Sequence, residues 1–402
     1  MRVYLDYAAT TPVRKEVLEA MLPYLKNDFG NPSSIHLWGR SARSAIDKAR
    51  TIIAKFLNCD ESEIIFTSGA TESINLALLG FVSNFTQEKT HIISTMFEHH
   101  AVLHTLEYIE KRGLATVTYL KPNQDGLISV DDVKKAIKPE TRLVTMMYVN
   151  NEIGTIQPIR EIGKMIESVN RSRSTIKGTV GAQARIYFHT DAVQAIGYLK
   201  SDVQHLHVDM LSFSGHKIYA PKGIGVLFCK KGTPLKSRIH GGGQELGFRP
   251  GTENVAGIVG LGKAIEILDP ERENETISKL RDYFILRIQK EIPEVYLNGS
   301  KSERSPNNAN FYFKNIEGES IVLSLDLEGV GASTGSACTS AELKHSHVLM
   351  SLFDNSLRAA GSVRFSFGEG LTKKDLDYAV NKIKEVIKRL RKISPYGDKD
   401  GN

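Results

Sequence analysis

Cysteine and tryptophan are scarce in this chain, which has three cysteines and one tryptophan in 402 residues. The cysteines, Cys59, Cys229 and Cys338, are odd in number and far apart, which argues against a disulfide framework and indicates a reducing compartment. The first residues have no apolar stretch of the signal-peptide kind. No run approaches the roughly 18 apolar residues of a membrane span. We therefore expect a cytoplasmic protein with no membrane segment.

Net charge is small for the length, because 52 basic and 46 acidic side chains leave +6. Much of the excess lies in one C-terminal stretch, whose basic residues are Lys382, Lys384, Lys388, Arg389, Arg391 and Lys392. Nucleic-acid binding would require a basic stripe with interleaved aromatic residues or a known motif, and the sequence has neither. We interpret the stretch as a solvated helix face and expect no nucleic-acid partner.

Short apolar runs alternate with amphipathic stretches through the first two thirds of the chain. The strand-like runs are 64–67, 91–94, 143–149, 186–189 and 210–213. Continuous apolar strands separated by helices are typical of a mostly parallel sheet covered on both faces. The sequence therefore predicts an α/β architecture.

The pattern changes after about Gly262, where one long amphipathic helix is predicted from Ala264 to about Glu291. Isolated strands follow, and a closing helix begins with a capping box formed by Thr372 and Asp375. This C-terminal part is predicted to be α+β rather than α/β.

Two domains are expected from this change. The larger spans 15–262, and the smaller combines 1–14 with 263–402 and carries a mobile loop at about 328–345. The polar stretch 170–185 is interpreted as a surface insertion.

Lys217 gives the strongest local signal for chemistry, because it follows the buried run 210–213 directly. A lysine at that edge of a parallel sheet lies where such folds bind ligands, and its amine would be available for Schiff-base chemistry. Asp191 ends another predicted strand, where a helix N-cap is the alternative. Pyridoxal phosphate requires both groups, an amine for its aldehyde and a carboxylate for its ring nitrogen.

A phosphate cradle is predicted at the turn 67–72, where a strand leads through small residues into a helix. Free backbone N–H groups and the helix dipole would meet an anion there, with Ser214 and His216 adding donors. Ordinary turn chemistry is the alternative.

Three further side chains lie near predicted strand ends or within an apolar strand. His99 could stack on a flat ring and move protons, or cap the next helix. Asn151 could hold a carboxylate or a ring hydroxyl. Arg364 suits an α-carboxylate bidentately, and a structural salt bridge is the competing interpretation.

Cys338 lies in the run 331–341, whose other residues are all small. Such a segment cannot build a core and should move, which suits a nucleophilic thiol that must travel. Cys229 follows large apolar residues and is expected to be inert, and Cys59 needs no special role.

These residues belong to a longer series of motifs that resembles the pyridoxal-phosphate-dependent cysteine desulfurases of the NifS/IscS type, within the aspartate-aminotransferase fold superfamily. The matching segments are 4–12, 29–34, 67–72, 149–154, 189–194, 214–217, 249–254 and 335–340. The resemblance covers nearly the whole chain. It implies a three-layer PLP-transferase large domain with a mostly parallel sheet, a smaller α+β domain and a homodimer.

The resemblance also implies roles for single residues. Lys217 would hold the cofactor, Asp191 would pair with its ring nitrogen and Gln194 with its ring hydroxyl. The cofactor-binding residues it implies are Ala70, Thr71, His99, Asn151, Asp191, Gln194, Ser214, His216, Lys217 and, reaching the neighbouring subunit's phosphate, Thr252.

The implied reaction converts L-cysteine to L-alanine and leaves the sulfur on Cys338 as a persulfide. Lys217, His99 and Cys338 would be catalytic, and Asn151 and Arg364 would orient the substrate carboxylate. An iron–sulfur scaffold or another acceptor protein would then take the sulfur. The chain would hold no metal of its own, although Cys338 could be a transient iron–sulfur ligand with a scaffold. An aminotransferase or a selenocysteine lyase-like enzyme of the same fold is the alternative.

Overall fold

The computed structural model describes residues 1–85, 89–174, 185–334 and 345–394. Its main sheet is built from β2 (Ile64–Thr67), β3 (His91–Thr95), β4 (Thr116–Leu120), β5 (Thr141–Met147), β6 (Tyr187–Asp191), β7 (Met210–Ser214) and β8 (Gly225–Cys229). Across these described residues the order is β2-β8-β7-β6-β5-β3-β4. All neighbouring pairs are parallel except those that β8 makes with β2 and β7. The predicted mostly parallel sheet is confirmed.

Helices cover both faces of this sheet. The helices are α1 (Lys15–Lys26), α2 (Leu37–Leu57), α3 (Ala70–Val82), α4 (His100–Lys111), α5 (Val130–Ala136), α6 (Ile159–Ser174), α7 (Val203–Leu206) and α8 (Val255–Glu266). Successive strand residues point to opposite faces. Phe188 therefore packs in the core cluster that includes residues of α2, α6 and α8, whereas Tyr187 packs in the cluster with α3 and α4. The result is a three-layer α/β arrangement.

A second, smaller sheet lies in the C-terminal part. Its strands are β9 (Val295–Asn298), β10 (Asn308–Phe313) and β12 (Ser362–Ser366), paired antiparallel with β10 in the centre. A short parallel pair joins β1 (Val3–Tyr4) to β11 (Val330–Gly331). The helices of this part are α9 (Pro270–Glu291), α10 (Gly318–Leu327), α11 (His347–Phe353), α12 (Ser356–Ala360) and α13 (Lys373–Ile393).

The smaller sheet has its own apolar core, in which the rings of Phe284, Phe311 and Phe365 contact one another. The capping box predicted at Thr372 and Asp375 is present at the start of α13. The predicted α+β organisation of the C-terminal part is therefore confirmed. The domain boundaries at 14/15 and 262/263 stay predictions.

The single long helix predicted from Ala264 to Glu291 is wrong, because the chain forms two helices there. Helix α8 ends at Glu266, and α9 begins at Pro270. Asp269 caps α9 by accepting from the Arg272 amide, and proline at the first helical position has no N–H to donate to the preceding turn. Apolar residues recur at helical spacing on both sides of this break, so the sequence pattern predicted one continuous helix.

The polar stretch 170–185 begins as the last turn of α6, which runs to Ser174. Asn170 joins the stretch to the sheet, since its side-chain amide donates to the Ile186 carbonyl and accepts from the Ile186 N–H, each at 2.8 Å. Most of the expected insertion lies outside the described residues. Among those described, no helix combines the length and apolarity that crossing a bilayer requires.

Gly225 on β8 allows the backbone of this strand to lie very close to the turn between β2 and α3. A Cβ built there would lie 2.6 Å from Gly69 Cα, in the turn between β2 and α3. We expect Gly225→Ala to lower the free energy of unfolding by about 1–3 kcal/mol, because the turn must shift to relieve the overlap. Urea denaturation measures this loss.

Gly243→Ala is the matched control, since a Cβ at Gly243 meets no atom within 4 Å. Equal stability of both variants would show that the approach of β8 to the turn is not tight.

Candidate active site

The carboxyl ends of β3, β5, β6 and β7 meet at one edge of the sheet because these strands are parallel. Asp191 is the last residue of β6, and Lys217 lies in a 3-10 turn directly after β7. His99 and Asn151 each follow a strand end by four residues. The topology therefore brings together residues that are up to 118 positions apart, from His99 to Lys217.

A cavity of about 540 Å³ opens at this edge. Of the predicted site residues, Ala70, Thr71, His99, Asn151, Asp191, Gln194, Ser214, His216, Lys217 and Arg364 line it. A larger groove of about 890 Å³ lies beside Tyr148 and Arg160, but none of the predicted site residues lines it. The smaller cavity is therefore the candidate active site.

The amine of Lys217 reaches across the cavity to the N-terminal segment. Its Nζ donates to the carbonyl oxygens of Ala8 at 2.5 Å and Ala9 at 2.7 Å. Both acceptors are neutral backbone carbonyl groups, and they orient the amine. The lysine is thus placed in the cavity rather than on the outer surface.

Asp191 is a buried carboxylate with 5% of its surface exposed. Its Oδ1 accepts from the Val193 N–H at 2.9 Å. Burial raises its pKa to about 6, with Lys217 acting in the opposite direction. The neighbouring His189 bonds Thr145 and Ser212, and burial lowers its pKa to about 3, so it brings no positive charge. A cationic group in the cavity would stabilise the Asp191 anion.

The turn from β2 into α3 presents backbone donors to the cavity. Gly69 is the N-cap of α3 and has no side chain to satisfy the first N–H groups of the helix. Ala70 and Thr71 begin the helix, and Ser214 lies close by, 3.7 Å from the Cβ position of Gly69. Free N–H groups at the positive end of a helix dipole suit an anion such as phosphate.

His99 caps α4, and that bond fixes its tautomer. Its Nδ1 accepts from the Ala101 N–H at 3.1 Å, so in the neutral ring Nε2 carries the proton. Burial lowers the pKa of His99 to about 4, and the nearby His100 and Lys217 act in the same direction. His99 is therefore neutral at pH 7, with its proton on Nε2.

Arg364 forms the salt bridge that was one of its two interpretations, whereas its role towards a substrate carboxylate stays a prediction. Its guanidinium donates to Asp6 Oδ1 at 2.9 Å and to the Asn151 carbonyl at 2.8 Å, and it also lines the cavity. The salt bridge neutralises part of the cost of burying the charge. The second N–H of each terminal nitrogen would remain for a ligand carboxylate, whereas Nε is buried.

Gln194 and His216 line the cavity, but each already has a partner in the N-terminal segment. Gln194 Nε2 donates to the Ala8 carbonyl at 3.0 Å, and His216 Nδ1 lies 3.2 Å from Thr10 Oγ1. Their remaining polar atoms could serve the ring hydroxyl and the phosphate as predicted. Burial lowers the pKa of His216 to about 4, so it would meet a phosphate as a neutral donor.

Two predicted residues lie apart from this arrangement. Thr252 is exposed and does not line the cavity of its own chain. Cys338 lies outside the described residues, so its role stays a prediction. The two described cysteines are poor nucleophiles, because burial raises the pKa of Cys59 and of Cys229 to about 12.

Several groups that build the site give no recognisable signal in the sequence. The carbonyls of Ala8 and Ala9 have no side-chain signature, and Asp6 is 358 residues from its partner Arg364. Glu98 precedes His99 and is fully buried, which no local pattern distinguishes from a solvated glutamate.

Pyridoxal phosphate fits the residues of the cavity. Lys217 offers an amine for the aldehyde, Asp191 a buried carboxylate in need of a cation, and the start of α3 unpaired donors for the phosphate. The burial of the Asp191 carboxylate, whose pKa stays raised in spite of Lys217, is the decisive observation, because a protonated ring nitrogen would stabilise its charge.

The fold and this site together define the class of protein. The profile of the aminotransferase class-V family matches residues 3–379, and the chain belongs to that family.

Within the family, the chain is similar to proteins named cysteine desulfurase IscS. The one from Dictyoglomus turgidum is 51% identical over 396 residues, which cover 98% of this chain and 96% of the relative. Another, from Methanosarcina thermophila, is 46% identical over 99% of this chain and 95% of its own length. The chain is thereby placed among the cysteine desulfurases of the NifS/IscS type.

A solved structure agrees with this placement. A NifS-like protein superposes with a TM-score of 0.88 at 35% identity, covering 97% of this chain and all of the other. The predicted PLP-transferase fold is confirmed.

The capping role of His99 can be tested by measuring the stability of two variants. Replacing it with alanine removes the cap of α4, and we expect the free energy of unfolding to fall by about 0.5–2 kcal/mol. His99→Asn keeps a capping side chain and should retain most of the lost stability. Urea denaturation compares the two variants. A loss of the same size in both would contradict the capping role.

Proposed function

We propose that this protein is a PLP-dependent cysteine desulfurase that converts L-cysteine to L-alanine and transfers the sulfur to Cys338. The observation that carries the proposal is the pairing of Lys217 with buried Asp191 in one cavity beside the anion-binding turn at the start of α3. The near full-length relatives named cysteine desulfurase support the substrate. A further solved structure, described as SspA in complex with cysteine, has 39% identity and a TM-score of 0.79.

When bound, the cofactor accepts electron density from the substrate Cα. Asp191 would keep the ring nitrogen protonated, and the turn at Ala70 and Thr71 would hold the phosphate. Arg364 and Asn151 would orient the substrate carboxylate in the cavity that Lys217 also lines. The lysine removes the Cα proton at Nζ.

The sulfur step needs no external oxidant. The thiolate of Cys338 attacks the substrate sulfur, so an S–S bond forms while the bond between sulfur and Cβ breaks. The electron pair of that bond stays on the carbon side, where Cβ takes up one proton and Lys217 returns the other to Cα, which gives alanine. His99 holds its proton at Nε2 and is positioned to serve as the donor near the leaving group.

We also propose a cytoplasmic homodimer with shared sites. Thr252 is exposed away from its own cavity, which agrees with a role at the site of a second subunit. Exposed apolar side chains near the N-terminus, Leu18, Leu25, Phe29, Ile35, Leu37 and Trp38, provide a surface that a second copy would cover. An iron–sulfur scaffold or another acceptor protein would receive the sulfur from Cys338.

Lys217→Ala should abolish the covalent link to the cofactor, because among the described residues Lys217 is the lysine whose amine bonds the carbonyls of Ala8 and Ala9 in the cavity. The purified variant should lack the yellow colour of the loaded protein, and borohydride reduction should leave no pyridoxyl peptide. Lys222→Ala is the matched control, since Lys222 also lines the cavity but is exposed. A pyridoxyl group found on Lys222 instead would overturn the assignment.

Cys338→Ala tests the desulfurase function itself. We expect alanine and sulfide formation from L-cysteine to fall by about 10³-fold or more, with the cofactor absorbance unchanged. Cys59→Ala should keep full activity, because burial holds that thiol protonated. Formation of a keto acid in place of alanine would favour an aminotransferase, and full desulfuration by Cys338→Ala would reject the nucleophile.

A further inference from the structure

Glu98 forms hydrogen bonds with residues of β3, β5 and α11 beside the candidate active site. It lies in the turn between β3 and α4 and has no exposed surface. Its Oε1 accepts from Thr95 Oγ1 at 2.7 Å and from the Met147 N–H at 3.0 Å. Its backbone carbonyl accepts from His347 Nε2 at 2.9 Å. The residue therefore fastens the turn that carries His99 to β5 and α11.

The second carboxyl oxygen of Glu98 is buried without a hydrogen-bond partner. An ionised carboxylate in that position would lack both a cation and donors for this oxygen, which is costly in an apolar interior. Glu152 is also fully buried, but it accepts from Ser346 Oγ and is near the Arg364 guanidinium. Glu98 has no comparable cation among the groups that act on it, and the charged group that does act on it is Asp191.

We propose that Glu98 is a positioning residue that works as a neutral carboxylic acid. In this form it holds the His99 turn against β5 without placing a second negative charge beside Asp191. Its relevance to catalysis rests on the proposed function, since His99 and Asp191 are the groups it serves. The protonation state itself is a property of the fold.

The neutral form has a consequence for pH dependence. Burial raises the pKa of Glu98 to about 8, and Asp191 on β6 acts in the same direction. Among the described residues, the other titratable groups at this turn are His99 and His100, which follow it in the chain, and His347 on α11, and all three have lowered pKa values. Because the native carboxyl keeps its proton above the pH at which the unfolded one loses it, its stabilising contribution falls as pH rises towards about 8.

Glu98→Gln tests the proposal, because the amide keeps the Oε1 acceptor and the volume but does not titrate. Thermal unfolding of the full-length protein as purified is measured between about pH 5.5 and pH 8.5. The midpoint of Glu98→Gln relative to the wild type should rise with pH by a few degrees. Glu107→Gln, an exposed change of the same charge on α4, should show no such trend.

Activity gives the second readout on the cofactor-loaded protein. At neutral pH, Glu98→Gln should retain kcat/KM within about threefold, whereas Glu98→Ala should lose it by tenfold or more through misplacement of His99. The alkaline decline of the wild type should be weaker in Glu98→Gln. A pH-independent difference in unfolding midpoint would overturn the proposal, and so would a large loss of activity in Glu98→Gln at neutral pH. Because unfolding is measured without substrate, it stays decisive even if the proposed desulfurase activity fails.

Discussion

The buried negative charge of Asp191 is the constraint on which the site depends. Its carboxylate lies at the end of a central strand with one amide donor and almost no access to water. Beneath it, His189 is already bonded on both ring nitrogens and stays neutral. Among the described residues, the amine of Lys217 is the cationic group that lowers the pKa of Asp191. A cationic ring nitrogen in the cavity would complete the electrostatics, which explains why this geometry favours a pyridine cofactor over a neutral ligand.

The parallel sheet determines which residues can reach the candidate active site, because only residues near the carboxyl ends of its strands lie at that edge. This explains which site residues could be predicted from the sequence. Lys217, Asp191 and His99 follow apolar runs, so a strand pattern alone placed them at one edge of the sheet. The polar turn before α3 was equally visible, because small residues between a strand and a helix are a local signal. These local patterns were sufficient to predict most strands of the large sheet and several side chains that line the cavity.

The rest depends on contacts between distant parts of the chain. The N-terminal segment crosses the cavity and offers the carbonyls of Ala8 and Ala9, and backbone groups leave no trace in residue type. The bond between Arg364 and Asp6 joins the ends of the sequence. Glu98 resembles any other glutamate until its burial is known. Asp269 and Pro270 are a recognisable start signal for a new helix. The apolar residues at helical spacing on both sides nevertheless led to the prediction of one continuous helix.

Several residues that offered a choice between a structural and a chemical role have contacts that allow both. His99 caps its helix with Nδ1 and keeps Nε2 for proton exchange. Asp191 binds a backbone amide with Oδ1, and Gln194 uses its amide nitrogen on the Ala8 carbonyl, so each retains a second polar atom. Because one atom is fixed by the scaffold, the other is held in a defined direction before any ligand arrives, which lowers the entropic cost of orienting the reacting groups. A side chain freed from its structural bond would therefore lose the orientation that its chemistry requires.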